Sequence, residues 1–186
     1  MTSPRGGRAE AQFAFSFPLK VLATAAGLLI LALVVGWLLP ARWEVERNVL
    51  VDAAPDVVYS WLEDPRRWDD WASLGEVEAR FSGPERGPGA TRRWDHPELG
   101  DGVFTILATV PHREVRYRVR VQQGSMVTEG MLRLEPEGEG TRVTWRERGD
   151  FGWNPLLGYL APSMDRMQGA QMEGALERLA RRVAAG

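Results

Sequence analysis

The last stretch of the chain constrains it most. From Asn154 to Val183 apolar residues recur at helical spacing: Leu160, Met164 and Met167, then Met172, Ala175, Leu176, Leu179 and Val183. Arg166, Glu173, Glu177 and Arg181 fall on the other side, so the pattern predicts one long amphipathic helix. Asn154-Pro155 supplies its start, a polar cap followed by a proline whose missing N–H does no harm there. Such an apolar face needs a broad partner, and Trp43 to Phe151 reads as the sheet that provides it.

A second feature sets the chain's surroundings. Val21 to Leu39 carries no charge and is bounded by Lys20 and by Pro40-Ala41-Arg42. As a helix it would reach about 28 Å, close to the roughly 30 Å of a bilayer's hydrocarbon layer. It is longer than the apolar part of a signal peptide and lacks a clear small-x-small cleavage site. The expectation is an uncleaved single-pass anchor over residues 21–39, after a short tail (1–20) and before a ligand-binding domain (43–186). Arg5, Arg8 and Lys20 precede the span while Arg42 and Arg47 follow it, a slight bias toward an extracytoplasmic domain.

Composition removes several classes of function. Net charge is −2 over 186 residues, and no basic stripe runs through the aromatic positions, which speaks against nucleic acid as a partner. There is no cysteine, hence no disulfide, thiolate metal site or cysteine nucleophile. Two histidines, far apart and without carboxylates at ligand spacing, give no reason to expect a metal or other cofactor. Gly87-Pro88-Gly89 is no phosphate loop, because the proline removes an N–H donor and no Lys-Ser/Thr follows. Eight tryptophans suggest large apolar surfaces and a lined pocket.

The remaining pattern is strand, two short helices, about six strands and the long helix. Trp43–Val51 alternates as a strand. Pro55 opens a helix in which Val58, Trp61 and Leu62 share a face, and Asp64-Pro65 opens a second carrying Trp68 and Trp71. Strands follow over Val77–Ser82, Ala90–His96, Val103–Val110 and Glu114–Gln122, then a hairpin from Met126–Glu135 to Thr141–Phe151. In Glu114–Gln122, Val115, Tyr117, Val119 and Val121 face one way and Arg116, Arg118 and Arg120 the other, a sheet with one wet side. Consecutive antiparallel strands with helices set apart give an α+β fold.

That order, with Val49 to Leu62, Trp68-Asp69-Asp70-Trp71, Gly87-Pro88-Gly89-Ala90 with Trp94, Gly140 to Trp145, Gly149-Asp150, Gly169 and Gly174 to Leu179, resembles the START-like helix-grip superfamily. This group is also labelled SRPBCC or polyketide cyclase/dehydrase. The resemblance covers roughly Trp43 to Val183. It implies a curved antiparallel sheet gripping the C-terminal helix around an apolar cavity. Its members bind lipids, sterols, polyketides or other hydrophobic molecules, and only some are enzymes.

Strand parity then nominates cavity residues. Val143 and Trp145 face inward and bring Glu147 with them; Arg47 shares the parity of Val45 and Val49; His96 shares that of Trp94. Trp61, Phe104, Ile106, Tyr117, Val119, Met164, Met167 and Gln171 complete the set. Glu147 and Arg47 would fix a ligand's polar end, pair with each other, or sit at a wet mouth. Asp69 and Asp70 read as helix-capping or solvated groups, and Arg178, Arg181 and Arg182 as a solvated face. No catalytic set emerges, so the first reading is a membrane-anchored binder of a lipid, quinone or polyketide-like molecule. Glu147 as an acid or base in a cyclase, or a co-chaperone-like interaction domain with a filled core, are the alternatives.

Overall fold

A computed structural model describes residues 7–72, 77–97, 100–121, 124, 126–152 and 154–185, with side chains from residue 19 onward. Helix α1 (Gly7–Leu38) is followed by strand β1 (Arg42–Val51), helix α2 (Pro55–Leu62) and a 3-10 turn at Arg67–Asp70. Strands β2 (Ala79–Ser82), β3 (Thr91–His96), β4 (Gly100–Val110), β5 (Glu114–Val121), β6 (Met126–Glu137) and β7 (Gly140–Asp150) come next. A single turn α3 (Pro155–Gly158), a 3-10 turn Ala161–Ser163 and helix α4 (Met164–Ala185) close the chain.

All strands are antiparallel, in the order β1-β7-β6-β5-β4-β3-β2. The register shifts in β4 between Ile106 and Ala108, leaving Leu107 as an extra residue; such a bulge bends and twists a sheet locally. One face carries Val45, Phe104, Ile106, Val115, Tyr117, Leu132, Val143 and Trp145, all buried. α4 buries Met172, Ala175, Leu176, Leu179 and Val183 against it, and α2 adds Val58 and Leu62. The result is a curved seven-stranded sheet closed over a C-terminal helix: a helix-grip fold.

The outer face is polar, as the arginine alternation in β5 predicts. Arg118 and Arg148 each approach Glu129 at 2.7 Å, and Arg146 approaches Glu46 at 2.6 Å. Hydrogen bonds from the two arginines hold the Glu129 carboxyl below its ordinary range.

Two helical expectations need correction. Asn154 does cap, its Oδ1 accepting from the Leu156 N–H at 3.0 Å, but the continuous helix starts at Met164. Pro162 is the cause: it has no N–H to give, and its ring would strike the carbonyl four residues back in an α-helix. Leu160, before the break, is 45% exposed, and Met167, off the buried row of α4, is 60% exposed. The second short helix is a 3-10 turn, entered where Asp64 Oδ1 accepts from the Arg66 N–H at 2.9 Å. Strand ends differ from the pattern by a few residues, and Gln122 lies outside the described residues.

α1 contains a 20-residue window, Leu19–Leu38, with mean hydropathy 2.5 and little of its surface covered by protein. It is long and apolar enough to cross a bilayer. Its C-terminal end packs on α3. The Tyr159 hydroxyl donates to the Ala32 carbonyl at 2.6 Å, and a Cβ on Gly158 would lie 2.6 Å from the Gly36 carbonyl oxygen.

Candidate functional site

Among the described residues Glu147 is the buried carboxylate of the inner face, 5% exposed. Its neighbours across the ladder are Val45 on β1 and Gly130 on β6; Gly130 in turn faces Tyr117 on β5. A Cβ on Gly130 would lie 1.9 Å from Tyr117 Cζ, so the bare backbone is what lets the phenol ring lie across β6. The Tyr117 hydroxyl donates to Glu147 Oε1 and accepts from the Trp145 indole N–H at 2.7 Å. From α4, Gln168 Nε2 donates to Glu147 Oε2 at 2.6 Å.

Burial raises the Glu147 carboxyl above its ordinary range, against the opposing pull of the Tyr117 and Gln168 hydrogen bonds. Burial, with the carboxylate beside it, raises the Tyr117 phenol well above its own range, so the tyrosine stays a donor. A carboxyl in such surroundings can hold a hydroxyl or carbonyl of an otherwise apolar molecule. It also suits proton exchange nearer neutral pH than an ordinary glutamate.

Around this polar end the interior is aromatic. Trp68 lies with ring centroids 4.6 Å from Phe104, 4.7 Å from Trp71 and 4.9 Å from Tyr117; Trp71 lies 5.5 Å from Trp145. These rings occupy the space between sheet and helix that the resemblance assigns to a cavity. Trp68 and Trp71 come from the 3-10 turn and the residue after it, not from a strand. They are held by the Trp68 indole N–H on the Leu62 carbonyl (2.9 Å) and by Arg178 Nε on the Trp71 carbonyl (2.9 Å). Arg178 is thus a tie to the interior rather than part of a solvated face.

A second polar pair borders the aromatic layer. Arg92, opposite Phe104 on β3, is fully buried; its Nη2 lies 2.7 Å from Asp69 Oδ1 and its guanidinium 5.3 Å from the Trp94 ring centre. Among the described residues its Nε and Nη1, and the Trp71 indole N–H, have no hydrogen-bond partner. Burial raises the Asp69 carboxyl, with Arg92 opposing. Asp69 is therefore an ion-pair partner rather than a helix cap. The parity that picks out Trp94 also picks out Arg92, and this is the signal by which the sequence marks the buried arginine.

The structure brings Phe104, Ile106, Tyr117, Trp145 and Glu147 together and sets Trp94, Val119 and Met164 half-buried at the border. His96 is half-buried near the end of β3. Trp61 packs on the outside of the core with the Arg67 guanidinium 4.9 Å over its ring. Arg47 does not meet Glu147. Its Nε lies 2.6 Å from Glu173, its Nη1 2.9 Å from Asp165, and its guanidinium rests on Gly169, so it clasps β1 to α4. Met167 and Gln171 face solvent, and Gln168 takes the inward position, because Gln168 lies one helical turn before the buried Met172 and shares its face. Among the described residues no three histidine or carboxylate side chains gather to hold a metal ion.

The fold has counterparts among solved structures. Protein CV1439 from Chromobacterium violaceum is 17% identical with a TM-score of 0.56, over 75% of this chain and 96% of that one. TTHA0849 from Thermus thermophilus is 24% identical with a TM-score of 0.56, over 76% and 97%. The di-domain ARO/CYC BexL from the BE-7585A biosynthetic pathway is 13% identical with a TM-score of 0.54, over 76% of this chain and 50% of that chain. No curated protein matches. Residues 42–184 match the family described as polyketide cyclase / dehydrase and lipid transport, which is the family this chain belongs to.

Proposed function

We propose that this protein is a membrane-tethered binder of a hydrophobic small molecule, held in the grip between sheet and α4. The observation that carries this reading is the Glu147 carboxyl, set among aromatic rings and supported by Tyr117 and Gln168. A binding site of this kind is mostly apolar with a few placed polar groups, and Glu147, Tyr117 and Gln168 supply those groups in this reading. In this reading the molecule takes the place of the Trp68 and Trp71 rings, which come from a short turn segment rather than from a strand of the sheet. Family membership supports the ligand class, and the apolar window of α1 supports the tether. The ligand class proposed is a lipid, quinone or polyketide-like molecule with one hydroxyl or carbonyl for Glu147 to hold.

The test is native mass spectrometry on the full chain extracted from its own membranes in mild detergent. The expected result is a reproducible extra mass, released by organic solvent, belonging to one class of apolar molecule. Displacement of Trp68 and Trp71 should also change tryptophan emission when the emptied protein is reloaded. An empty protein that takes up none of a panel of lipids, isoprenoid quinones and polyketides would sink the reading. The packed aromatic interior would then favour a protein-interaction domain.

A further inference from the structure

Three large side chains next to α1 stand out from the packed domain. Leu156 is 59% exposed, Tyr159 43% and Leu160 45%, all within the segment that links β7 to α4. Trp37 and Leu38 at the end of α1 are exposed at 64% and 78%. The two exposed groups lie on neighbouring elements, because α3 is fastened directly to α1. A Cβ on Gly36 would lie 2.2 Å from the Pro155 carbonyl oxygen, so backbone meets backbone there.

The depth of this contact identifies what covers the surface. The window Leu19–Leu38 has 20 residues and spans about 30 Å as a helix, the thickness of the hydrocarbon layer. Ala32, whose carbonyl accepts the Tyr159 hydroxyl at 2.6 Å, lies six residues before Leu38, about 9 Å along the axis. With α1 across a bilayer, the Tyr159 hydroxyl is drawn below the edge of the hydrocarbon layer. A leucine- and tyrosine-bearing turn at that depth has the composition of an interfacial segment, apolar bodies inward and a polar tip satisfied.

We infer that Pro155–Leu160 is a second membrane-contacting element, embedded in the interfacial layer of the leaflet nearest the domain. This rests on the tethered reading above and deepens it. The segment joins the strand that carries Glu147, three residues before its end at Asp150, to the helix that carries Gln168 in its second turn, so the polar end of the grip lies toward the embedded corner. A molecule with a polar head and an apolar tail reaches Glu147 from that leaflet without crossing water. The expected ligand class narrows to membrane-resident amphiphiles.

The absence of native cysteine makes the test direct. Full chains carrying Leu156→Cys, Leu160→Cys, Leu28→Cys or Glu139→Cys are labelled with an environment-sensitive fluorophore and reconstituted into phosphatidylcholine–phosphatidylglycerol vesicles. Brominated phosphatidylcholines with shallow or deep bromines then quench by depth. The label at position 28 should be quenched most by deep bromines, and the label at 139, on the far turn, by neither. Labels at 156 and 160 should be blue-shifted against 139 and quenched severalfold more strongly by shallow bromines. If 28 is quenched while 156 and 160 behave like 139, the embedded segment is wrong and the tether stands. If 28 is not quenched either, the tether fails and this inference with it.

Discussion

Tyr117 and Glu147 belong to strands that do not pair with each other, yet the tyrosine hydroxyl donates to the glutamate carboxylate across the intervening Gly130. The sheet thereby places a donor and a buried acid on one spot using three consecutive strands. Neither residue reaches the other by strand register alone; the missing side chain between them makes the contact.

Glu147→Gln tests how far burial governs this site. In the folded protein the carboxyl holds its proton to a higher pH than in the unfolded chain. Between those two values the folded state binds the extra proton, so stability falls as pH rises through the window, which begins near the free glutamate value of about 4.3. The glutamine variant lacks this step. Melting followed by near-ultraviolet circular dichroism should find it more stable than the parent at neutral pH, with the gap closing on acidification.

Tyr117→Phe removes a donor from Glu147 and the acceptor of the Trp145 indole N–H. Leaving buried polar groups short of partners costs about 1–3 kcal/mol. Because the tyrosine hydrogen bond is one of the forces keeping the Glu147 pKa down in the folded state, the upper end of the pH window should also move upward. An unchanged window with lowered stability would show that the hydroxyl packs without influencing the acid.

Gly130→Ala puts a methyl where Tyr117 Cζ now sits, 1.9 Å from the added carbon. Overpacking of this kind costs about 1–3 kcal/mol, and the tyrosine must leave its place. The variant should therefore also show the pH behaviour expected of Tyr117→Phe. A double variant, Gly130→Ala with Tyr117→Phe, should be less damaged than the sum of the two.

Asp69→Asn and Arg92→Met should differ sharply although both break one ion pair. The first leaves a fully buried guanidinium without its counter-charge, a loss of about 3–5 kcal/mol. The second removes the charge and keeps an apolar stem beside Phe104 and Trp94, which should be close to neutral or stabilising. Denaturant midpoints of the two variants, measured side by side, decide it.

Most of the architecture is legible in the sequence because alternation and turn residues are local signals. Val115, Tyr117, Val119 and Val121 declare an inner face by themselves, and Trp145 with Glu147 declare theirs. The C-terminal helix departs from its pattern because apolar spacing runs straight through Pro162, which preserves the periodicity while breaking the hydrogen-bond ladder. The inward glutamine is a matter of phase within α4: Gln168 lies one turn before the buried Met172, whereas Gln171 is turned about 100° away from it. Arg47 shows a different limit. Its backbone has inner-face parity, but a long side chain at the sheet's edge can follow the carboxylates of α4, here Asp165 and Glu173, rather than the interior. The Tyr117–Gly130–Glu147 contact needs the register of three strands at once, which no single stretch of sequence contains.

Leu39, Pro40 and Ala41 are all that separates α1 from β1, and the Phe151 N–H holds the Ala41 carbonyl at 3.0 Å. Fully extended, three residues reach on the order of 10 Å, and these are pinned at their far end. With α1 in a bilayer, the domain has no leash with which to leave it. A carrier that ferries cargo between two membranes needs slack; a tethered form of this chain would have a hinge-less mount. On the proposed reading, a bound molecule would be received and surrendered at the same membrane surface, and an exchange partner would have to come to it.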